Sequence, residues 1–325
     1  MRRFLVFSVP ILIALLACAT SYGKTPVILS TDVGNEIDDQ WAITYMLASP
    51  DLEVLGILSA HAPSLPDPSA HYTYLILKDI VEKRMGMAIH PPLFEGSSVA
   101  LADARSSRPN AAVDFLLGTS KRFSEKDRLT VLVIGAATDI ASAIIQDPTI
   151  VQRIRVVAMA FPSERGGEEY NVANDVVSWQ VVLDSNAPLV VGSGDVCRAH
   201  LALTFEGAQT MIASHGPIGE WLWSEYKAWY YRDVKPLRKN DFSKPWFIWD
   251  TIVIAYLEGM TTQESIPRPK LNADMTFTEA AANRPVIWIR SVDSSRMWPD
   301  FLSKIDSYQH SHAIESNQGR TGCIW

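Results

Sequence analysis

Cysteine is scarce, with three in 325 residues, too few to staple a fold of this length. Cys197 and Cys323 either pair or remain two free thiols, and their separation in sequence carries no geometric information on which. Basic runs longer than short Lys/Arg pairs are absent, and 29 basic against 36 acidic residues leave a formal charge of -7. A surface that follows nucleic-acid phosphates is thereby excluded, and a small neutral or cationic ligand, or a metal, is the partner this balance suits. No internal repeat, low-complexity tract or Pro/Gly/Ser linker long enough to separate a pair of domains is present. Comfortable membrane-spanning length is missing too: the apolar run from Phe4 to Ala17 has fourteen residues, short of the roughly 20 a spanning helix needs. What is there, 47% hydrophobic and 20% charged residues, is enough for one large α/β domain or two ordinary ones with real cores.

The opening MRRFLVFSVPILIALLACATSYG has a positive start (Arg2, Arg3), an apolar stretch and small residues after it, the pattern of a secretory signal over residues 1–23. It predicts a secreted or periplasmic protein. Within it Leu15-Leu16-Ala17-Cys18 resembles a bacterial lipobox, in which a lipidated Cys18 would attach the chain to a membrane; ordinary cleavage after Ala19 or Gly23 is the alternative. The folded domain is expected over 24–308, with a poorly ordered tail over 309–325.

Apolar, β-branched runs alternate with helix-length segments along that domain. TPVILST, LEVLGILSA, LTVLVIGAA, IRVVAMAF and APLVVGSG read as strands; Trp41 to Ala48, Ala70 to Lys83, Ala111 to Leu117, Asp139 to Ile145 and Val176 to Leu183 read as helices. Strands apolar on both faces and separated by helices predict an α/β fold, a mostly parallel central sheet flanked by helices. Ser64 to His71, Ser163 to Glu169 and Tyr231 to Pro245 read as loops. Ligands of such sheets bind beyond the carboxyl ends of strands. TDVGNEIDD, SAHAPS, GAATD, AFPSERGGEEYN and SGDVC each follow a strand and are expected on one rim.

TDVGNEIDD concentrates Asp32, Glu36, Asp38 and Asp39 where the first strand ends. Like charges this close raise one another's pKa unless a cation or a helix N-terminus neutralises them. Asp38 and Asp39 open the helix QWAITYML, so an N-cap and a first-turn acid are the plain reading. That reading leaves Asp32 unexplained, along with Gly34, which lets the backbone turn tightly beside it. Oxygen donors from a strand end and a helix start suit a hard divalent cation, Ca²⁺ before Mg²⁺.

TDVGNEIDDQWAI resembles the N-terminal fingerprint of the nucleoside hydrolase family, Asp-x-Asp-Pro-Gly-x-Asp-Asp. It differs in having Ser30 at the first Asp and two extra residues, Asn35 and Glu36, between Gly34 and Asp38. VLVIGAATDIASAIIQDPTIVQRIRVVAM, EEYNVANDVVSWQVVLDSNAPLVVGSGDV and FIWDTIVIAYL resemble further family segments in family order, and PPLFEGSS and SSRMWPDFLSKI also fit. The resemblance implies Ca²⁺-dependent hydrolysis of N-ribosidic bonds through an oxocarbenium-like transition state. It implies metal ligation by Asp32, Asp39, Asp250 and the main-chain carbonyl of Thr138, with Asp32 also the general base. By the same resemblance Asp38, Glu169 and Asn171 hold ribose hydroxyls. A small-molecule nucleoside or glycoside substrate and a homo-oligomer are implied too, with nothing identifying an interface.

The departures bear on specificity. Trp249 stands before Asp250 where many family members have the His read as the acid for the leaving base. This Trp-Asp pair resembles the purine-preferring branch, in which an indole stacks on the base; the alternative for Trp249 is a core aromatic. In WLWSEYKAWYY, Trp221, Tyr226 and Trp229 cover a wide arc of a helix; most are expected in the core, some at the pocket. His61, in place of the family Asn that reaches ribose, either replaces its hydrogen bond, acts on the leaving group, or is a loop histidine. The other histidines show no metal spacing. A phosphatase with Asp32 as nucleophile needs a second Asp two residues on, where Gly34 stands. A secreted sugar- or nucleoside-binding protein with a retained metal site and little catalysis, or a hydrolase of another N- or O-glycoside, is the alternative reading.

Overall fold

The computed structural model describes residues 23–237, 239, 241, 243–280 and 284–320, except the side chains of 313–320. Cys18 with the rest of the expected signal up to residue 22, and Cys323, lie outside the described residues.

Strand β1 (Thr25–Thr31) is TPVILST, buried on both faces from Val27 onward. Val27 and Leu29 join one hydrophobic core and Ile28 the other. β2 (Leu52–Ser59) and β3 (Leu93–Glu95) extend the sheet from one side of β1. On its other side lie β4 (Leu129–Ile134), β5 (Ile154–Met159) and β6 (Leu189–Gly192), all parallel. In β4 and β5 the alternation repeats, Leu132, Ile134, Val157 and Met159 facing one core and Val131, Val133, Val156 and Ala158 the other. Near-continuous apolar strands are what a parallel sheet with both faces covered requires. The strand Pro285–Val292 pairs parallel with β6, and Thr261–Pro267 closes the eight-stranded sheet as an antiparallel edge. The expected α/β class and mostly parallel sheet are therefore what the chain forms.

Helices cover both faces. α1 (Asp38–Ala48) packs against Thr251–Leu257 and the final helix, Ser294–Arg320. Ten of its eleven residues are buried, and Trp41 stacks on Phe301 with ring centroids 5.6 Å apart. α2 (Ser69–Asp79), continued by a wide π-type turn over Ile80–Arg84, packs beside β2 and β3. On the other face, α3 (Ala111–Ser120) and α4 (Thr138–Gln146) lie with the helix Val176–Asp184. Trp221 and Tyr226 of the helix Gly216–Trp229 point into the core, and Trp229 is partly buried.

Two stretches differ from expectation. Residues 321–325 of the expected tail lie outside the described residues; its described part, 309–320, continues the final helix through Arg320. Gln309 anchors it, its Oε1 accepting from the Ile218 N–H at 3.0 Å and its Nε2 donating to the His215 carbonyl at 2.9 Å, across the start of the neighbouring helix. His312 stacks on Tyr308 at 3.9 Å. The stretch read as a loop from Tyr231 begins as helix, with a π-type turn over Tyr230–Val234 and a helical turn at Lys235–Leu237.

Strand order reverses between β1 and β4, the point where open α/β sheets leave a crevice beyond their carboxyl ends. Thr31 and Ile134 pair there. Asp32 follows the first and Gly135 the second, so close that a Cβ on Gly135 would lie 3.0 Å from the Asp32 carboxyl carbon. A larger residue there would have to displace the Asp32 carboxylate by a few tenths of an ångström.

Candidate active site

The loop from Asp32 to Ile37 drops the chain from β1 into α1. Gly34 turns it at φ +113°, a conformation that favours glycine. Asp38 and Asp39 are the first residues of α1, whose N-cap is Ile37 with no side-chain cap. Asp38 is thus a first-turn acid facing the cavity, not the N-cap that the plain reading allowed. Thr31 donates its hydroxyl to Asp39 Oδ1. From the far side of the fold Asp250 arrives at the start of Thr251–Leu257, placed by the Ile248 N–H bonding to the Leu201 carbonyl at 3.0 Å.

Asp38, Asp39 and Asp250 each bring a carboxylate oxygen within 4.8 Å of the others. Asp32, Asp38, Asp39 and Asp250 are 3%, 5%, 2% and 3% exposed, and among the described residues none has an ion-pair partner. Burial pushes Asp32, Asp39 and Asp250 well above the usual carboxylate range, and mutual repulsion adds to it. The charge of Asp32 acts on Asp39 more strongly than any other neighbour's. Burial raises Asp38 to about 6, against a hydrogen bond with Asp250 that lowers it. Four buried acids without a counter-charge, all offering oxygen and none sulfur or imidazole, fit a hard divalent cation. The tight trio differs from the expected ligand set: it contains Asp38, while Asp32 is turned to Asn35, accepting from its Nδ2 at 2.7 Å. Thr138 is buried at the start of α4 with its hydroxyl donating to Asp175 at 2.7 Å, and it does not line the cavity.

A cavity of about 270 Å³ opens over these acids, near the lower end of small-ligand pockets. Asp32, Asp38, Asp39, Asp250, Glu169, Asn171 and Trp249 all line it. Glu169 caps the short helix Tyr170–Ala173. Its oxygens accept the N–H groups of Asn171 at 3.0 Å, Val172 at 3.1 Å and Phe161 at 3.3 Å. Burial nevertheless lifts its pKa to about 7. Asn171 is held by its Nδ2 donating to the Met159 carbonyl at 3.2 Å. His61 lies elsewhere, outside the cavity lining, half-buried with Nδ1 3.4 Å from the Ser69 hydroxyl; burial lowers its pKa.

The cavity wall also includes residues the sequence did not single out. Trp246 lines the cavity beside Trp249, and Arg198 lies over the Trp249 ring at 5.2 Å from its centroid. Trp246 and Trp249 both donate their indole N–H to Glu36, Trp249 at 3.0 Å. Tyr170 closes the rim, its hydroxyl donating to Asn35 at 3.2 Å. The available signal was the pair of indoles three residues apart in WFIWD, directly before Asp250. Cys197 is buried, has no disulfide partner among the described residues, and faces the Trp249 carbonyl at 3.5 Å.

The model of the inosine-uridine preferring nucleoside hydrolase family matches residues 27–299. Among curated proteins, an uncharacterized protein of Schizosaccharomyces pombe is 28% identical over 195 residues, 52% of this chain and 61% of its own length. The chain thus matches less than two thirds of that relative. Among solved structures, a purine-preferring ribonucleoside hydrolase from Gardnerella vaginalis superposes with a TM-score of 0.71 at 19% identity, over 87% of this chain and 99% of the other. A plant nucleoside hydrolase gives 0.66 at 17%, and an inosine-uridine preferring nucleoside hydrolase from Bacillus anthracis 0.63 at 16%, with the same coverage. At these identities the superpositions speak for the fold.

Proposed function

The chain belongs to the nucleoside hydrolase family, and from that premise we propose that it hydrolyses the N-glycosidic bond of ribonucleosides, purine nucleosides foremost, with Ca²⁺ at the acidic floor. One observation carries this reading: Asp32, Asp38, Asp39 and Asp250 share a single cavity with Glu169, Asn171 and Trp249.

Asp39 and Asp250, common to the expected ligands and the tight trio, are the core of the cation site, with Asp32 and the Thr138 carbonyl completing it. Held by these residues, a hard divalent cation would supply the missing counter-charge and would acidify water. Asp32, steadied by Asn35, takes the proton of the attacking water. Glu169, pinned by three backbone N–H groups, meets the ribose hydroxyls together with Asp38 and Asn171. Holding the sugar over Asp32 turns a bimolecular attack into an oriented one. Positive charge that develops on the sugar in an oxocarbenium-like transition state faces the acids of the floor. Trp249 offers its ring to the base, and a large purine gains the most from such stacking. We also place the protein outside the cytoplasm, secreted, periplasmic or anchored through Cys18, and read it as a homo-oligomer.

The test incubates the purified protein with inosine, guanosine, adenosine and uridine, with and without EDTA, and assays free ribose. Release from the purine nucleosides, abolished by EDTA and restored by Ca²⁺, is the expected result. Binding without turnover would leave a nucleoside-binding protein in its place.

A further inference from the structure

Asn35 and Glu36 are the two residues by which this loop exceeds the family pattern. Asn35 is committed within the fold: Nδ2 donates to Asp32 Oδ2 and to the Asp32 carbonyl at 2.7 and 3.1 Å, and Oδ1 accepts from Tyr170 and from the Ser64 hydroxyl. Glu36 is not so enclosed. Its Oε1 takes both indole N–H groups, while Oε2 makes no hydrogen bond among the described residues. An indole N–H only donates, so two of them converging on one oxygen fix the direction of Glu36 and make Oε1 an acceptor. The edges of Trp246 and Trp249 are fixed in return. Arg198 lines the same cavity and brings donors only.

We propose that Glu36 is the specificity-determining residue for the leaving base, its Oε2 accepting a hydrogen bond from a ring N–H. The base it selects is one with a lactam edge, as in a 6-oxopurine, whose N–H meets Glu36 and whose neighbouring carbonyl oxygen meets Arg198. This rests on the nucleoside hydrolase reading and adds to it the class of base. A base without that N–H leaves a polar oxygen unpaired in a cavity, and sites built on such a bond discriminate strongly against analogues that lack it.

The experiment compares kcat/KM for inosine, 1-methylinosine and a nitrophenyl riboside in the natural protein and in Glu36→Gln. The amide keeps an acceptor for the two indoles and turns N–H groups toward the base. The natural protein should favour inosine over 1-methylinosine by at least about tenfold. In the variant inosine should fall by about tenfold and the preference should shrink to less than about threefold, while the nitrophenyl riboside changes by less than about threefold. Glu36→Asp, which withdraws the carboxylate, should narrow the preference likewise and serves if the Gln variant does not fold. Equal losses on all three substrates, or an undiminished preference, would overturn the proposal and leave Glu36 a brace for the tryptophans. If no riboside is turned over, the hydrolase reading fails separately, and calorimetry decides the Glu36 assignment. Tighter binding of inosine than of 1-methylinosine, lost in the variant, upholds it; equal affinity or no binding sinks it.

Discussion

The floor and the outer wall of one cavity are built on opposite principles. On the floor, Asp32, Asp38, Asp39 and Asp250 are buried against one another with no cation among the described residues to pair them. At the wall a fifth acid, Glu36, is answered by two indole donors, and Arg198 lies against one of the rings. The floor has no counter-charge of its own; the wall meets one Glu36 oxygen from within the chain and leaves the other open to the cavity. Burial of uncompensated charge costs several kcal/mol per ion, which a fold retains only where function requires it. A satisfied network instead fixes shape.

The largest effect that separates the two regions is expected at the floor. Asp39→Ala and Asp250→Ala should each weaken Ca²⁺ binding by more than the roughly 10–100-fold that loss of an outer-shell partner costs a metal site, read by calorimetry, and turnover should vanish with it. Asp32→Ala should lower Ca²⁺ affinity as well. Retained affinity in that variant would hand its ligand position to Asp38, which brings a carboxylate oxygen within 4.8 Å of those of Asp39 and Asp250.

Next in size is the pH dependence of stability. In the folded chain Asp38 is raised to about 6 and Glu169 to about 7, from 3.8 and 4.5, with Asp32, Asp39 and Asp250 raised as well. The folded state therefore holds more protons than the unfolded one. The stability these groups contribute is full below about pH 4 and is lost as pH rises through 6 to 7. With EDTA present the melting temperature should fall by several degrees between about pH 5 and pH 7.5, and Ca²⁺ at about 100 times its Kd should recover about 2.7 kcal/mol at the higher pH. A melting temperature independent of both would mean that the floor is neutralised by the chain itself.

The smallest effect belongs to the wall. Trp249→Ala should lower kcat/KM for purine nucleosides by the equivalent of about 1–3 kcal/mol of stacking and act less on a nitrophenyl riboside, whose leaving group needs no activation. Equal losses on both would make Trp249 a packing residue.

The same division decides what could be read in advance. Strands such as TPVILST were legible because a parallel sheet buries both faces, and β1 ends at the expected Thr31. On the floor, Asp250 was reached only through the resemblance of FIWDTIVIAYL to a family segment, while Asp32, Asp38 and Asp39 were legible because they stand at a strand end and a helix start, where charge in an apolar context has few explanations. The wall was not. Trp246, Arg198 and Glu36 come from three distant stretches, and their meeting depends on how the segment before Asp250 lies across the loop after β1. The final helix was missed for a similar reason: its polar residues look loose until Gln309 is seen bound to the helix beside it.

Gly135 also ties the position of one acid to the spacing of two strands. A Cβ there would lie 3.0 Å from the Asp32 carboxyl carbon, so a larger residue would have to push the Asp32 carboxylate by a few tenths of an ångström. The loop that follows turns on Gly34 and ends in the contacts of Glu36 with two indoles. The wall is thus adjustable through the loop, while the acid at the strand end moves only with the sheet.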